Sequence, residues 1–235
     1  AVPNGETLTI KAGTRVHFHE NSGLIVPVGA TLNINGALST DQTTLENEVI
    51  FEGDRLEPFL SNIPGQWGYI WLMDGSINNT INYTTIKNAS VGILVDGNPN
   101  GATDKLIITN SQIYNSSNFG ILGRNTSIKA ENVVINNSGH SSFAGTLGGK
   151  YNVTHSTIAN YWTSSSSRQF PALILNNSAI DGNSNLVLAD LIEANFNNCI
   201  IYGNTNPEML LDAVEDASVD FNFKFTNCLI RFQNN

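Results

Sequence analysis

The chain has 235 residues, a net charge of −9 and a pI near 4.7. No basic stripe is present to neutralise phosphates, so nucleic acid is not an expected partner, and no apolar run is long enough to span a bilayer. Only 13% of residues are charged while Asn alone occurs 34 times, a polar but uncharged composition that suits an exported protein.

Residues 1–53 alternate like short strands at Glu6-Thr7-Leu8-Thr9-Ile10, Arg15-Val16-His17-Phe18 and Thr31-Leu32-Asn33-Ile34, with Gly13, Gly23, Gly29 and Gly36 as punctuation. The short intervals predict narrower first laps that close the N-terminal end of a solenoid, because an open end invites pairing with another chain. His17 and His19 share a strand face, but without a third ligand they read as solvated strand residues rather than a metal site. Residues 54–66, interrupted by Pro58, Pro64 and Gly65, form a long loop. In the strand that follows, Trp67, Tyr69 and Trp71 share one face, and Gly68, Ile70 and Leu72 share the other. The second set suits a packed interior, which turns the aromatic row outward or under the loop. Together with Asp54, Arg55 and Glu57 it is the candidate glycan-binding surface; the competing reading is a loop clamped over a hydrophobic patch.

From residue 77 a ten-residue frame recurs, clearest at Leu106-Ile107-Ile108-Thr109-Asn110-Ser111-Gln112-Ile113-Tyr114-Asn115. Its closing Ile falls at Ile86, Ile113, Ile135, Ile158, Ile180, Ile201 and Ile230, at intervals mostly in the low twenties, which is a solenoid signature. Apolar residues stand five and seven places earlier, so alternate side chains point to one face of a short strand. Three places before the Ile come Asn110, Asn132, Asn177, Asn198 and Asn227, broken by Tyr83 and His155; two places after it come Asn88, Asn115, Asn137 and Asn160, then Gly182 and Gly203. Asn and Gly interchange where a residue takes positive φ, so these columns predict corners at which Asn side chains stack from lap to lap. Third strands are fainter, at 91–95, 119–122 and 142–144. Loops are expected near 96–104, 161–171 and 204–220; the second carries Trp162, Arg168 and four consecutive serines.

In the last loop, 209–214 predicts one short helical turn, and Glu208, Asp212, Glu215, Asp216 and Asp220 form an acidic group. That group lacks the spacing of known Ca²⁺ loops, so no cofactor is expected and Ca²⁺ there is the weaker alternative. Further sequence or a partner chain is expected to cover the end after Asn235. Cys199 and Cys228 occupy the same small inward slot on successive laps. They read as two buried thiols, with a disulfide between laps as the alternative.

These columns resemble the right-handed parallel β-helix of the pectate-lyase-like superfamily, with asparagine ladders at its turns. Segments such as Pro64-Gly65-Gln66-Trp67-Gly68 and Thr109-Asn110-Ser111-Gln112-Ile113 are similar to β-helix repeat lipoproteins of Bacteroidetes and flavobacteria. The resemblance implies one all-β domain over residues 1–235, export, and lipid attachment at a cell surface or outer membrane, with the periplasm as the alternative. It carries no catalytic assignment, since the superfamily hosts several chemistries.

Enzymes of this fold acting on polysaccharides need carboxylates on outward columns. From residue 77 those columns hold a lone Glu131 and a lone Asp181, with no two carboxylates on neighbouring laps. Nucleophile-elbow, phosphate-loop and zinc motifs are missing. The expected function is therefore an exported binding or scaffold module that contacts glycan or another surface protein and has no catalytic residues. The alternative is a polysaccharide lyase or glycoside hydrolase whose acids come from loops, in which Asp54, Glu57, Asp96 or Asp104 would converge with Arg55.

Overall fold

A computed structural model describes residues 1–163 and 168–232. The four serines of the 161–171 loop and the end at Asn235 lie outside the described residues. The chain winds into a parallel β-helix with three strands to a lap. Side one stacks Thr7–Lys11, Thr31–Asn35, Asn79–Asn82, 106–109, 128–131, 149–154, Leu191–Asn197 and Phe221–Thr226. Side two stacks Arg15–Phe18, Val49–Gly53, Thr84–Lys87, 111–116, 133–138, Thr157–Asn160, Ile200–Gly203 and Leu229–Ile230. Side three stacks Leu24–Val26, Trp67–Leu72, Ala89–Asp96, 119–124, 143–146, Leu173–Asn176 and Met209–Asp212.

Strand alternation sends every second side chain inward, and parallel register stacks like on like. On side two the inward column runs Val16, Phe51, Ile86, Ile113, Ile135, Ile158, Ile201, Ile230. On side one it runs Ile10, Ile34, Ile81, Ile108, Ala130, Val153, Phe196, Phe225. Most of these side chains are fully buried, each worth about 1.5–3 kcal/mol of removal from water.

At the first corner hydrogen bonds join some neighbouring laps, a partial ladder. Asn110 Nδ2 donates to Asn82 Oδ1 at 2.9 Å, and Asn132 Nδ2 to Asn110 Oδ1 at 2.8 Å. Tyr83 and His155, which break the Asn column, still take its left-handed φ of 44° and 49°. His155 also stays within the ladder, its Nε2 lying 3.0 Å from Asn198 Nδ2. At the second corner Asn137 donates to Asn115 Oδ1 at 2.5 Å and Asn115 to Asn88 Oδ1 at 3.3 Å. Asn160 ends that run differently: fully buried, it accepts from Ser138 N and donates to Ser138 O.

The frame at 173–182 is not a further repeat. Leu175 pairs with Gly145 on side three, and Ile180, 65% exposed, lies in an antiparallel hairpin of Ser178–Ile180 with Leu186–Leu188. Asn177 accordingly leaves the ladder; buried, it brackets Val214 by accepting from its N–H and donating to its C=O. The next lap returns only at Leu191, so Ile158 stacks on Ile201. The helical turn expected at 209–214 is instead the strand Met209–Asp212, recruited as an edge to Leu173–Asn176. The first lap has all three sides rather than a narrower coil. The inward slot two places before the column Ile serves the backbone: Ser111 Oγ accepts from Thr84 N and Ser156 Oγ from Val133 N. Cys199 and Cys228 fill the same slot as free thiols, and burial pushes Cys199 up to about 11.

Candidate functional site

The outer face of side two collects ionisable groups between two long loops. Strand alternation places Arg15 and His17, Ile50 and Glu52, Thr85 and Lys87, and Gln112 and Tyr114 outward. One row therefore reads His17, Glu52, Lys87, Tyr114 on consecutive laps. Lys87 Nζ is 2.7 Å from Glu52 Oε2, and His17 Nδ1 is 3.6 Å from Glu52 Oε1. Burial raises the Tyr114 phenol above its usual range; Lys87 opposes that shift, whereas Glu52 and Glu48 reinforce it. Two residues beyond the row, His19 Nδ1 meets Asp54 Oδ2 at 2.8 Å.

Loops 36–48 and 54–66 rise at opposite ends of the strand Val49–Gly53 and so bound this face on both corners. Arg15 holds the first, its guanidinium donating to the carbonyls of Glu48, Leu45 and Thr44 at 2.7, 2.8 and 3.1 Å. Beneath it lies a hollow of about 310 Å³ lined by Leu45, Glu48, Asn110, Gln112, Asn132 and Val134. The second loop rests on the second-corner ladder: Asn88 Nδ2 donates to Ser61 O at 2.8 Å and Asn115 Nδ2 reaches Asn62 O at 3.5 Å. Gln66 Nε2 ties it internally to Leu60 O and Ile63 O. A β-carbon at Gly53 would collide with the Gln66 side chain, so that glycine makes room for the loop's return. His19, Glu20, Asp54, Arg55, Leu60 and Gln66 enclose a second hollow of about 200 Å³ there.

The residues singled out from the sequence fall into three places. Asp54 and Arg55 line the hollow just described, and Glu57 pairs with Arg55 at 3.5 Å. Tyr69 and Trp71 lie round the corner on the outer face of side three, half-buried, with rings 5.8 Å apart edge to face. Trp67 does not join them. It is 1% exposed, stacks on Phe18 with ring centroids 4.4 Å apart, and donates from Nε1 to Lys87 O. The pairing of 67–72 with 89–96 slips by one residue between Tyr69 and Ile70, so Trp67 and Ile70 both face inward. The loop acids do not converge with Arg55 either. Asp96 accepts from Trp71 Nε1 at 2.7 Å and from Arg124 through two bonds of 2.6 Å, and Asp104 sits 3.8 Å from Lys150.

Sequence reasoning missed Glu48 and Glu52, and with them the partners of His17, Lys87 and Tyr114. The available signal was two alternating pairs, His17/His19 and Glu52/Asp54, whose matching spacing fits neighbouring strands. Among the described residues no group of three or more His, Cys, Asp and Glu could hold a metal ion. From the 204–220 acids, Glu208 is committed to Arg168.

No family model matches this chain, and no curated protein matches it. Among solved structures it is similar to the A-module of the mannuronan C-5 epimerase AlgE4 from Azotobacter vinelandii. The match covers 98% of this chain and 56% of that one, at 14% identity and a TM-score of 0.58. The chain thus spans little more than half of that module, and at this identity the likeness is one of fold alone. A Parabacteroides merdae protein described as a "putative glycosyl hydrolase" aligns over 89% of this chain and 82% of its own. It too is 14% identical, but its TM-score of 0.26 carries no argument.

Proposed function

We propose that the chain is an exported, surface-held β-helical module that binds an extended glycan along the outer face of side two, between loops 36–48 and 54–66. The row His17, Glu52, Lys87, Tyr114 carries this reading: hydrogen-bonding groups repeat at the lap spacing of about 4.8 Å, so a polymer running along the axis meets them in succession. Further along the same face Val134 and Ile200, 47% and 43% exposed, offer apolar surface to sugar rings. The shared fold with a module named for action on mannuronan is support by analogy. A low-charge, Asn-rich composition supports export.

A glycan array with the wild type and the Glu52→Gln/Lys87→Met double variant tests the reading. Binding that the double variant loses is the expected result; an array without binding, or binding indifferent to the change, would overturn it. A second reading, acid–base turnover, is favoured by the grouping of Tyr114 with Lys87, Glu52 and Glu48. Release of shortened or unsaturated products, abolished by Tyr114→Phe, would select it over binding alone.

A further inference from the structure

We propose that the hollow beneath loop 36–48 is a subsite for a glycan residue carrying a protonated amine, with Glu48 as its anionic anchor. The proposal rests on the glycan reading of side two and adds the chemical class of the ligand. Glu48 is 8% exposed and lines the hollow. Its Oε2 accepts from Thr85 Oγ1 at 3.1 Å; among the described residues nothing donates to Oε1. The amides around the hollow bond to their neighbours. Gln112 Nε2 donates to Thr85 Oγ1 at 2.8 Å, Asn132 Nδ2 to Asn110 Oδ1, and Asn110 Nδ2 to Asn82 Oδ1. Arg15, the cation of this corner, uses its guanidinium on three loop carbonyls.

The hollow thus presents one negative charge among amide groups, between the apolar walls of Leu45 and Val134. Glu48 faces the hollow with one oxygen unpaired and no cation bonded to it, and a ligand that brings charge and donors together would complete it with charge-assisted hydrogen bonds. An ammonium supplies three donors and the opposite charge. A uronate would bring a second negative charge beside Glu48. A neutral sugar would hydrogen-bond but leave the charge uncompensated. The net charge of −9 also draws a cationic polymer toward the surface.

Calorimetric titration with short oligomers of glucosamine, N-acetylglucosamine and galacturonic acid tests this. The glucosamine oligomer is expected to bind tightest, and Glu48→Gln, which keeps the shape and removes the charge, to weaken it by about tenfold, the scale of one charged hydrogen bond. Val134→Trp, which fills the hollow from an exposed wall, should weaken it similarly, and it serves if Glu48→Gln fails to fold. Equal binding of the acetylated or acidic oligomer, or unchanged affinity in both variants, overturns the proposal. If another glycan binds side two while the amine does not, this inference falls and the glycan reading stands. If neither these oligomers nor the array show binding, both fall.

Discussion

Arg168 and Glu208 form a bidentate ion pair sealed from water, with Nη1–Oε2 at 2.8 Å, Nη2–Oε1 at 2.5 Å and side chains 1% and 0% exposed. The carboxylate also accepts from Ala172 N and Thr205 N, so it fastens the strand Leu173–Asn176 to the turn before Met209–Asp212. Glu208→Ala leaves a buried guanidinium without its charge partner and two backbone donors unmet. It should cost about 3–5 kcal/mol, the range for breaking a buried pair from one side. Urea unfolding checks this, and a loss under about 1 kcal/mol would mean that water reaches the pair. The double variant Arg168→Met/Glu208→Leu is expected to recover part of the loss, since no lone charge remains.

The ladder at the first corner makes a separable prediction. Asn132 has φ 55° and donates to Asn110. Asn132→Gly removes the hydrogen bond but keeps the backbone free to turn, and should cost about 1 kcal/mol. Asn132→Ala keeps a β-carbon in the left-handed region without the amide that eases it there, and should cost about 1–2 kcal/mol more than Gly. Thermal melts should rank wild type, Gly, Ala. If Ala were the milder change, the corner would not be holding that φ.

His140 lies between Phe119 and Phe170, with ring centroids at 4.4 and 3.7 Å. Burial lowers its pKa below the ordinary 6.5. The folded state thus resists a proton that the unfolded chain accepts. Its contribution to stability is present above pH 6.5 and is lost as pH falls through the lower folded value. Denaturation midpoints of wild type and His140→Phe, followed from pH 7.5 down to about 4.5, should diverge on acidification, with the variant less sensitive. Parallel curves would show that His140 titrates alike in both states.

Ile113, Ile135 and Ile158 were legible as neighbours because short laps keep one frame in one register, and the sequence shows register only where laps are of similar length. Ile180 misleads for the same reason: 173–182 fits the frame by pattern, yet Leu173–Asn176 already lies on side three. The row through Glu52 and Lys87 was hidden because loops 36–48 and 54–66 stretch that lap and conceal which strand follows which. Strict alternation puts Trp67 outward or under the loop, and a one-residue slip at Tyr69/Ile70 breaks that alternation. Position along a column is visible in sequence; a bulge, or a loop long enough to skip a side, is not.

The ladder at the second corner ties the fold to the site, and this gives the last prediction. Asn88 and Asn115 bond to each other across laps and also to Ser61 O and Asn62 O of loop 54–66. Each amide thus stiffens a corner and pins the wall beside Asp54 and Arg55. The loop tip carries Leu56 and Phe59, 57% and 76% exposed, where local opening would admit chymotrypsin. Asn88→Gly keeps the left-handed φ of 62° while removing both bonds. It should lower global stability by only about 1–2 kcal/mol yet raise cleavage at Phe59 by about tenfold or more, because the loop opens without the core. Glycan affinity at side two should fall in the same variant. If cleavage rose only in step with global unfolding, Asn88 would be a corner residue and nothing more.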